Sequence, residues 1–427
     1  MPSSILEPLP NLKDYDISPV TGFLPEQQPL ERLPCYFVQW EILVNSIVEL
    51  LKEKKFRVSV DRMPLLSCDL LNEERAYRRA YSVLGYIAHA YIWGESPPVN
   101  RIPTQLAKPW IEISEHLGLL PIASYSGLIL WNWKFIKSDN THKKLLLDPE
   151  NVKILSTFTG SSNECWFYLL SIYFEYVGAP CITTGLKAIE YARKDDQMKV
   201  IKYLIMLTKQ IKTLKKLLGR MPDNCDPSFF YTKLRPFLAG WKNMKSAGLE
   251  GVYYGNSSET LQVYSGGSNA QSSLIQTLDL VLNIKHKPFC CGSQREKKES
   301  FSDEMKKYMP RKHREFLNHL SKVNLLRDYV LSKAEASPNL LSAYNLAVSM
   351  MKQFRDSHIQ LVSRYIIIQA RNSQKCTSAN PRIPQIGLAN ARFEKSTELR
   401  GTGGTELIPF LKRCRDETES SLAGKID

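Results

Sequence analysis

The sequence predicts an all-α fold, or nearly so, and the apolar pattern of the chain supports this prediction. Residues 197–218 carry apolar side chains at helical spacing along their whole length. Residues 339–370 show a second long stripe of the same kind, and shorter helical patterns occupy most of the chain between the two. The stripe of the first segment consists of Val200, Tyr203, Leu204, Leu207, Ile211, Leu214 and Leu218.

The first part of the chain is predicted to start with an extended arm. Residues 1–35 hold seven of the 24 prolines, which interrupt helices and favour an arm lying over the surface. Helices are predicted after it at Tyr36–Glu53 and Asn72–Trp93, and a shorter one ends near Gly118. Together these segments predict a small N-terminal domain, residues 1–155.

The second part, residues 156–427, is predicted to be a large helical domain. Two stretches in it lack helical periodicity: a basic linker at Lys285–Lys298 and a polar, mobile loop over about residues 371–404. A terminal helix is expected after this loop. The other predicted helices are Glu164–Val177, Thr184–Arg193, Gln197–Leu218, Pro227–Leu238, Ser268–Ile284, Ser302–Tyr308, Pro310–Lys322, Leu325–Ala334 and residues 339–370.

Length and composition indicate a folded protein of ordinary hydrophobic content. A chain of 427 residues, 43% of them hydrophobic, can bury a substantial core. No stretch reaches the length and apolarity of a membrane span, so no membrane is expected as a partner. The N-terminus does not show a secretory signal, and the nine cysteines lack zinc-ligand spacing. Free thiols in a reducing cytoplasm are therefore expected.

The formal net charge of +14 raises the question of a polyanionic partner. The charge is spread along predicted helix faces, with one denser patch from Lys285 to Arg314. This patch has no RNA-binding signature and no recognition-helix pattern. A solvated surface without a nucleic-acid partner is therefore favoured, and a basic helical scaffold that binds polyanions remains an alternative.

One histidine lies inside the apolar stripe of residues 339–370. His358 shares this face with Phe354 and Val362, and two interpretations are open. It is either a core histidine that donates to a backbone carbonyl, or a neutral imidazole in a dry pocket that ligates a haem iron. The remaining histidines, which form no ligand cluster by spacing, are His89, His116, His142, His286, His313 and His319.

The segment Asp226–Arg235 has residue types that suit an aromatic amino acid as ligand. Asp226 is a candidate N-cap, with Pro227 at the first helical position. Phe229 would supply a ring for stacking, and Arg235 would supply a guanidinium for a carboxylate. Six residues apart, the two side chains lie on different faces of a regular helix, although both could reach one cavity if the helix ends there. A core phenylalanine and a surface arginine are the commoner explanation for such a pair.

Three further segments allow both a functional and a structural interpretation. Ser268 and Gln271 have capping-box spacing, so the amides near them either bind a polar group or simply start a helix. Phe167 and Ser171 share a helix face, as pocket residues or as a core phenylalanine beside a back-bonded serine. The glycine-rich segment Gly401–Thr405 is either a lid over a ligand or an ordinary surface loop.

The chain carries none of the common signatures of hydrolysis, phosphoryl transfer or dinucleotide binding. GxSxG, HExxH, the phosphate-binding GxxxxGK[ST] and GxGxxG are all absent from the sequence. Residue spacing alone thus predicts a helical protein with one unusual histidine.

Taken in order, eight segments resemble the indoleamine 2,3-dioxygenase family, and they span nearly the whole chain. Residues 158–175 are most similar to the fungal branch of that family. Asn269 and Tyr168 depart from the mammalian pattern, which has alanine and phenylalanine there. The segments are Met63–Cys68, Tyr125–Trp133, Trp166–Ser171, Phe229–Lys242, Gly266–Ser273, Met305–Leu317, Arg355–Ile367 and Gly401–Lys412.

The resemblance implies a haem b enzyme with a small N-terminal domain on a large helical, haem-binding domain. His358 matches the family's proximal iron ligand, and Arg355 with Asp279 matches a charged pair beneath the haem. The substrate pocket would be lined by Phe167, Ser171, Phe229 and Arg235, with Tyr125 at its inner wall. Gly267, Ser268 and Thr402 match positions near the substrate amino group and the haem propionates.

The resemblance further implies oxidation of L-tryptophan by O2 to N-formylkynurenine, the first step of the kynurenine pathway that feeds NAD synthesis. An electron donor that reduces the haem, a cytoplasmic location and a monomeric state are expected. Phe167, Ser171 and Phe229 are no strong proton acceptors, so the cofactor would carry the chemistry. One alternative is a related haem protein that only stores oxygen, which needs His358 but not Arg235. The other is a haem-free basic scaffold.

Overall fold

The computed structural model describes residues 7–136, 151–287, 300–372 and 407–423, and it confirms a mainly helical fold. Nearly all of the predicted mobile loop and most of the predicted basic linker fall outside these residues, and Arg371 and Asn372 at the start of that loop are helical. The predicted terminal helix is present. The helices of the fold are α1 (Val38–Asn45), α2 (Ile47–Lys52), α3 (Phe56–Asp61), α4 (Glu74–Trp93), α5 (Thr104–Leu117), α6 (Ser162–Arg193), α7 (Gln197–Leu218), α8 (Ser273–Val281), α9 (Phe301–Lys306), α10 (Arg311–Val323), α11 (Leu326–Ser332), α12 (Pro338–Val362) and α13 (Leu407–Glu419).

Strands contribute two small sheets. Strand β1 (Arg101–Ile102) pairs in parallel with β4 (Val252–Tyr254), which pairs antiparallel with β5 (Leu261–Gln262). Strand β2 (Trp133–Phe135) pairs antiparallel with β3 (Val152–Ile154). The first sheet thus joins a segment before residue 155 to segments well after it.

The N-terminal arm packs on the second half of the chain. The Tyr15 ring lies edge-on to Phe316 of α10 at 5.8 Å, and its hydroxyl lies 2.6 Å from His319 Nδ1. Ile17 and Phe23 are buried among the helices of that half. The described part of the arm therefore packs on the helices that it crosses, as predicted for an arm lying over the surface.

Helix α6 is continuous where the sequence predicted two separate helices. Pro180 lies between the two predicted segments and cannot donate a helical hydrogen bond. The cost of this missing bond is local, whereas α7 and α8 cover α6 along much of its length. Close packing of α8 also requires glycine, because a Cβ at Gly178 would lie 2.1 Å from Leu274 Cδ2, and one at Gly185 would lie 2.6 Å from Val281 Cγ2.

Continuity makes α6 long and apolar enough to cross a membrane by length and composition, which the sequence analysis did not expect. Its most apolar window has a mean hydropathy of 1.2, and 61% of that window is buried inside the protein. It also carries Glu164 and Glu175, whose carboxyl groups are buried. Buried acids and protein neighbours on several sides are features of a core helix.

Helix α7 has the bounds that the sequence predicted, Gln197–Leu218. Its apolar stripe faces α6 and α12, and Val200, Leu204, Leu207 and Ile211 are fully buried. Burying each such side chain contributes about 1.5–3 kcal/mol relative to leaving it exposed. The stripe therefore holds α6 and α12, the two longest helices, side by side.

Three segments of the described chain are π-helical turns, in which the amide of one residue donates to the carbonyl five residues earlier. They are Ser126–Leu130, Phe230–Leu234 and Ser363–Ile367. The last continues α12 directly, and the second lies between two single α-helical turns, Pro227–Phe229 and Arg235–Leu238. All three border the cavity described next.

Candidate functional site

A cavity of about 740 Å³ lies among α6, α8, α12 and α13, and its size is that of a site for a cofactor or a large ligand. Nearly all residues singled out from the sequence and described by the structure line it. Phe229 does not, and Thr402 lies outside the described residues. The predicted residues that line the cavity are Tyr125, Phe167, Ser171, Arg235, Gly267, Ser268, Asp279, Arg355 and His358.

His358 reaches the cavity from α12 and is half-buried. Burial first, and then the charge of Arg355, lower its pKa to about 4, so the imidazole is neutral at physiological pH. No hydrogen bond of its ring is found among the described residues. A neutral imidazole at the wall of a large cavity fits an axial ligand of haem iron.

His89 shows what the alternative interpretation of His358 would look like. It is fully buried in α4, its Nδ1 lies 2.7 Å from the Phe237 carbonyl, and its Nε2 accepts from the Ala123 amide at 3.1 Å. Both nitrogens of this core histidine are therefore used by backbone groups. His358 differs from it in both respects, so the structure favours the ligand interpretation over the core interpretation.

Arg355 and Asp279 form the ion pair that the family resemblance implied. Arg355 Nη2 lies 2.7 Å from each carboxylate oxygen of Asp279, and both side chains are mostly buried. Burial alone would raise the pKa of Asp279, but the Arg355 charge and a hydrogen bond from His286 lower it. Because Arg355 precedes His358 by one helical turn, the pair ties the His358 segment of α12 to α8.

The aromatic wall of the cavity contains Phe230, which corrects the prediction of Phe229. The Phe230 ring lies 5.1 Å from that of Phe167 and 5.7 Å from that of Tyr365. The physical reason is the π-helical turn, in which the Arg235 amide donates to the Phe230 carbonyl. This wider turn aligns residues five apart, so Phe230 and Arg235 both face the cavity.

Arg235 brings a buried positive charge to the cavity wall. The residue is 3% exposed, and its guanidinium carbon lies 5.5 Å from the centre of the Tyr231 ring. Burial lowers the pKa of Arg235 and Tyr231 opposes this, but a guanidinium stays charged in proteins. A buried, planar cation in a mainly apolar cavity is suited to a carboxylate of the ligand.

Ser171 lies one turn after Phe167 on α6, and its hydroxyl donates to the Phe167 carbonyl at 3.0 Å. This is the back-bonded serine that the spacing suggested, and it also lines the cavity. With its proton used in this bond, its oxygen can accept a hydrogen bond from a ligand. It is not a strong base.

The loop at Gly266–Gly267 approaches neighbouring backbone and side-chain atoms too closely to carry side chains of its own. A Cβ at Gly266 would lie 2.1 Å from the Leu238 carbonyl oxygen, and one at Gly267 would lie 2.5 Å from Leu128 Cδ1. Gln271 fixes the loop by accepting from the Tyr125 amide at 2.9 Å and donating to the Gly266 carbonyl at 2.9 Å.

The predicted capping box at Ser268 and Gln271 is wrong. The Ser268 hydroxyl accepts from the Ala270 amide and caps a short 3-10 turn, whereas α8 starts later, at Ser273. Gln271 is not available for the reciprocal bond because its side chain holds the loop. The functional interpretation of Ser268 as a cavity residue does not depend on the box.

Glu175 is a buried acid beside the cavity that sequence reasoning missed. Its Oε1 accepts from the Tyr125 hydroxyl at 2.9 Å and from the Ser272 hydroxyl at 2.6 Å, while Oε2 has no partner among the described residues. Burial raises the pKa of Glu175 to about 7, against the lowering effect of these two bonds. Its spacing of four from Ser171, on the cavity face of α6, was the available signal.

The sequence analysis also missed a cluster at His286, because this residue lies more than a hundred residues before the other two members. His286, Cys414 and Glu417 have ligating atoms within 4.8 Å of one another and line the same cavity. This corrects the expectation that His286 joins no cluster. Its hydrogen bonds are taken up below.

Known proteins are similar to this chain over nearly its whole length. The family model described as indoleamine 2,3-dioxygenase matches residues 11–421. An indoleamine 2,3-dioxygenase of Saccharomyces cerevisiae is 44% identical over 427 residues, covering 97% of this chain and 94% of that protein. A 6-hydroxytryptophan 2,3-dioxygenase of Fusarium equiseti is 34% identical, covering 96% and 98%. Human indoleamine 2,3-dioxygenase 2 is 33% identical, covering 96% and 95%.

Proposed function

Because the chain belongs to the indoleamine 2,3-dioxygenase family, we propose that it is a haem-dependent dioxygenase that inserts both atoms of O2 into the indole 2,3 bond of L-tryptophan, giving N-formylkynurenine. The observation that carries this proposal is that one cavity is lined both by a neutral imidazole, His358, and by a buried guanidinium, Arg235.

The cofactor of this activity is haem b, which supplies a reducible iron at which O2 reacts. His358 would ligate the iron from α12. Gly267 and Ser268, at the close-packed loop, would border the porphyrin, and Arg355 with Asp279 would support the ligand helix.

Tryptophan matches the polar and apolar groups of the remaining wall. Arg235 would bind its carboxylate, and the Phe167 and Phe230 rings would pack on its indole. Ser171 and Tyr125 complete this wall, while Ser268 and Thr402 are assigned to the amino group on family resemblance alone. These residues orient the substrate and exclude water, which is the contribution expected of a protein whose cofactor carries the chemistry.

Oxygen storage without catalysis is the less favoured function. A storage protein needs His358 and a cavity for the cofactor, but it has no use for a buried cation beside an aromatic wall. A substrate carboxylate would form a charge-assisted contact with the buried Arg235 guanidinium, and oxygen storage has no need of that contact.

Several finer properties belong to the same proposal. We infer a monomeric, cytoplasmic enzyme that depends on an electron donor, and a product that enters kynurenine-based NAD synthesis. The division into a small domain, residues 1–155, and a large domain, residues 156–427, is retained as a proposal. Gel filtration with light scattering tests the first of these, since a dimer would contradict it.

A single preparation tests the proposed activity. Reduced, haem-loaded protein is mixed with tryptophan and air, and kynurenine absorbance is read after acid hydrolysis of the product. The expected result is kynurenine formation together with a tryptophan-dependent shift of the haem spectrum. Absence of product, with a normal spectrum of the oxygen complex, would instead establish oxygen storage. Absence of any haem band after haem is supplied would contradict both functions and favour the haem-free scaffold.

A further inference from the structure

Five charged side chains form a continuous chain beside the cavity, with alternating signs. Arg413 Nε lies 2.9 Å from Glu417 Oε1, and Glu417 Oε2 lies 2.7 Å from His286 Nδ1. His286 Nε2 lies 3.2 Å from Asp279 Oδ2, and Asp279 pairs with Arg355 at 2.7 Å. The chain therefore starts on the C-terminal helix α13 and ends on α12, one turn from His358.

The chain is shielded from water along most of its length. The side chains of Arg355, Asp279, His286 and Glu417 are 11%, 10%, 16% and 12% exposed, respectively. Arg413 is the most exposed, at 31%. Helix α13 packs directly on α12, and the Lys287 amide also donates to Glu417 at 3.1 Å. Charges buried in this way interact more strongly than surface pairs, because water and salt screen them less.

His286 must be an imidazolium in this arrangement. Each of its two nitrogens faces a carboxylate oxygen, and a carboxylate can only accept, so both nitrogens must carry protons. The pKa of His286 agrees: burial alone would lower it, but hydrogen bonds to Asp279 and Cys414 and the Asp279 charge raise it to about 10.

A metal ion is the competing interpretation of this cluster, and the charges disfavour it. His286, Cys414 and Glu417 are close enough to share an ion. However, a metal ligand must be an unprotonated imidazole, and the Glu417 carboxylate is already paired with both His286 and Arg413. A divalent cation would also lie near Arg413 and Arg355, whose positive charges repel it.

We propose that His286 and Glu417 are positioning residues that hold the Asp279–Arg355 pair and set the electrostatic environment of the iron ligated by His358. The inference rests on the proposed haem function. Glu417 orients His286, His286 takes one oxygen of Asp279, and Asp279 then holds Arg355 on the ligand helix. Each member also contributes a fixed charge of known sign to the group of side chains that ends at Arg355, one turn from His358, and the field of such charges shifts the reduction potential of a haem.

The test compares variants of the haem-loaded protein, each of which removes one charged side chain, either a negative or a positive one. Glu417→Gln removes a negative charge, which disfavours ferric iron, so the midpoint potential is expected to rise. His286→Gln removes a positive charge, so the potential is expected to fall. The double variant, which removes both charges, is expected to return towards the wild-type value. Spectroelectrochemical titration measures all three, and a merely structural role would not produce shifts of opposite sign.

Glu419→Gln is the matched control on the same helix. Glu419 pairs with Lys352 at 3.3 Å and is 42% exposed, so solvent screens its charge and the potential is expected to change least. Arg413→Gln provides a second positive-charge removal in case the His286 variant does not fold, and it too is expected to lower the potential. Circular dichroism and haem content verify folding.

Two outcomes would overturn the inference. One is a pair of shifts with the same sign for Glu417→Gln and the positive-charge removals. The other is shifts no larger than that of the Glu419 control. Failure of the proposed function is distinguishable, because a wild-type protein without haem would give no potential to compare, and a haem protein without dioxygenase activity would still give the potentials that test this inference.

Discussion

Because the carboxyl group of Glu175 is buried and its pKa is raised, we expect the free energy of unfolding to depend on pH. Glu175→Gln keeps the size and the accepting oxygen of the side chain, so the Tyr125 and Ser272 hydroxyls retain a partner. The amide takes the place of the oxygen that has no partner among the described residues. The variant therefore resembles the protonated acid and does not titrate.

The direction in which the free energy of unfolding changes with pH follows from the raised pKa of Glu175. Below about pH 4.5 the carboxyl is protonated in both the folded and the unfolded chain, so its titration has no effect. Between pH 4.5 and about 7 the unfolded chain ionises while the folded chain stays protonated, and the free energy of unfolding falls. The loss is about 1.4 kcal/mol per pH unit, or about 3 kcal/mol in total, and it levels off above pH 7.

The assay is urea unfolding of wild-type and Glu175→Gln protein at equal haem content, from pH 4.5 to 8.5. Other titrating groups are present in both proteins, so they cancel in the difference between the two. The wild type is expected to lose stability relative to the variant as pH rises to 7, with no further relative change above it. A difference independent of pH would refute the assignment of Glu175 as a group that is neutral when buried.

Three substitutions test the cavity itself. His358→Ala should abolish the haem absorbance of the purified protein, whereas His319→Ala, where α10 contacts the N-terminal arm, should retain it; equal haem content would disprove the ligand assignment. Arg235→Ala should raise the KM for tryptophan by about 10- to 150-fold, from a charge-assisted contact of about 1.5–3 kcal/mol, with normal haem content. An unchanged KM would exclude the carboxylate contact. Phe230→Ala should weaken tryptophan binding more than Phe229→Ala, as measured by spectral titration, and the reverse order would contradict the π-helical alignment.

The parts of the fold that follow from local periodicity could be predicted from the sequence. Helix α7 was predicted to the residue because its apolar stripe is regular, and both neighbours bury that same face. Helix α6 was predicted as two pieces, because local propensity counts Pro180 as a break while the packing of α7 and α8 over it is a tertiary effect.

In the candidate site too, residues that stand out in the local sequence pattern could be predicted, whereas contacts between distant residues could not. His358 stood out because an imidazole interrupts an apolar stripe. Phe230 was missed in favour of Phe229, because a helical turn of unusual width cannot be recognised from residue types. The contact of His286 with Glu417 joins residues 131 apart in sequence, and no spacing rule reaches that far. Thr402 lies outside the described residues, so its role stays a prediction.

The π-helical turns determine how this pocket responds to the loss of a single residue from the sequence. Each turn at Ser126–Leu130, Phe230–Leu234 and Ser363–Ile367 accommodates one more residue than an α-helical turn would. Deleting a single residue there would convert the wide turn into an ordinary α-helical turn, in which residues four apart are aligned, so the side chains before and after the deletion would keep their directions. A homologue with a one-residue gap within Phe230–Leu234 would therefore keep the architecture and would still direct an aromatic ring and a guanidinium at the same side of the pocket.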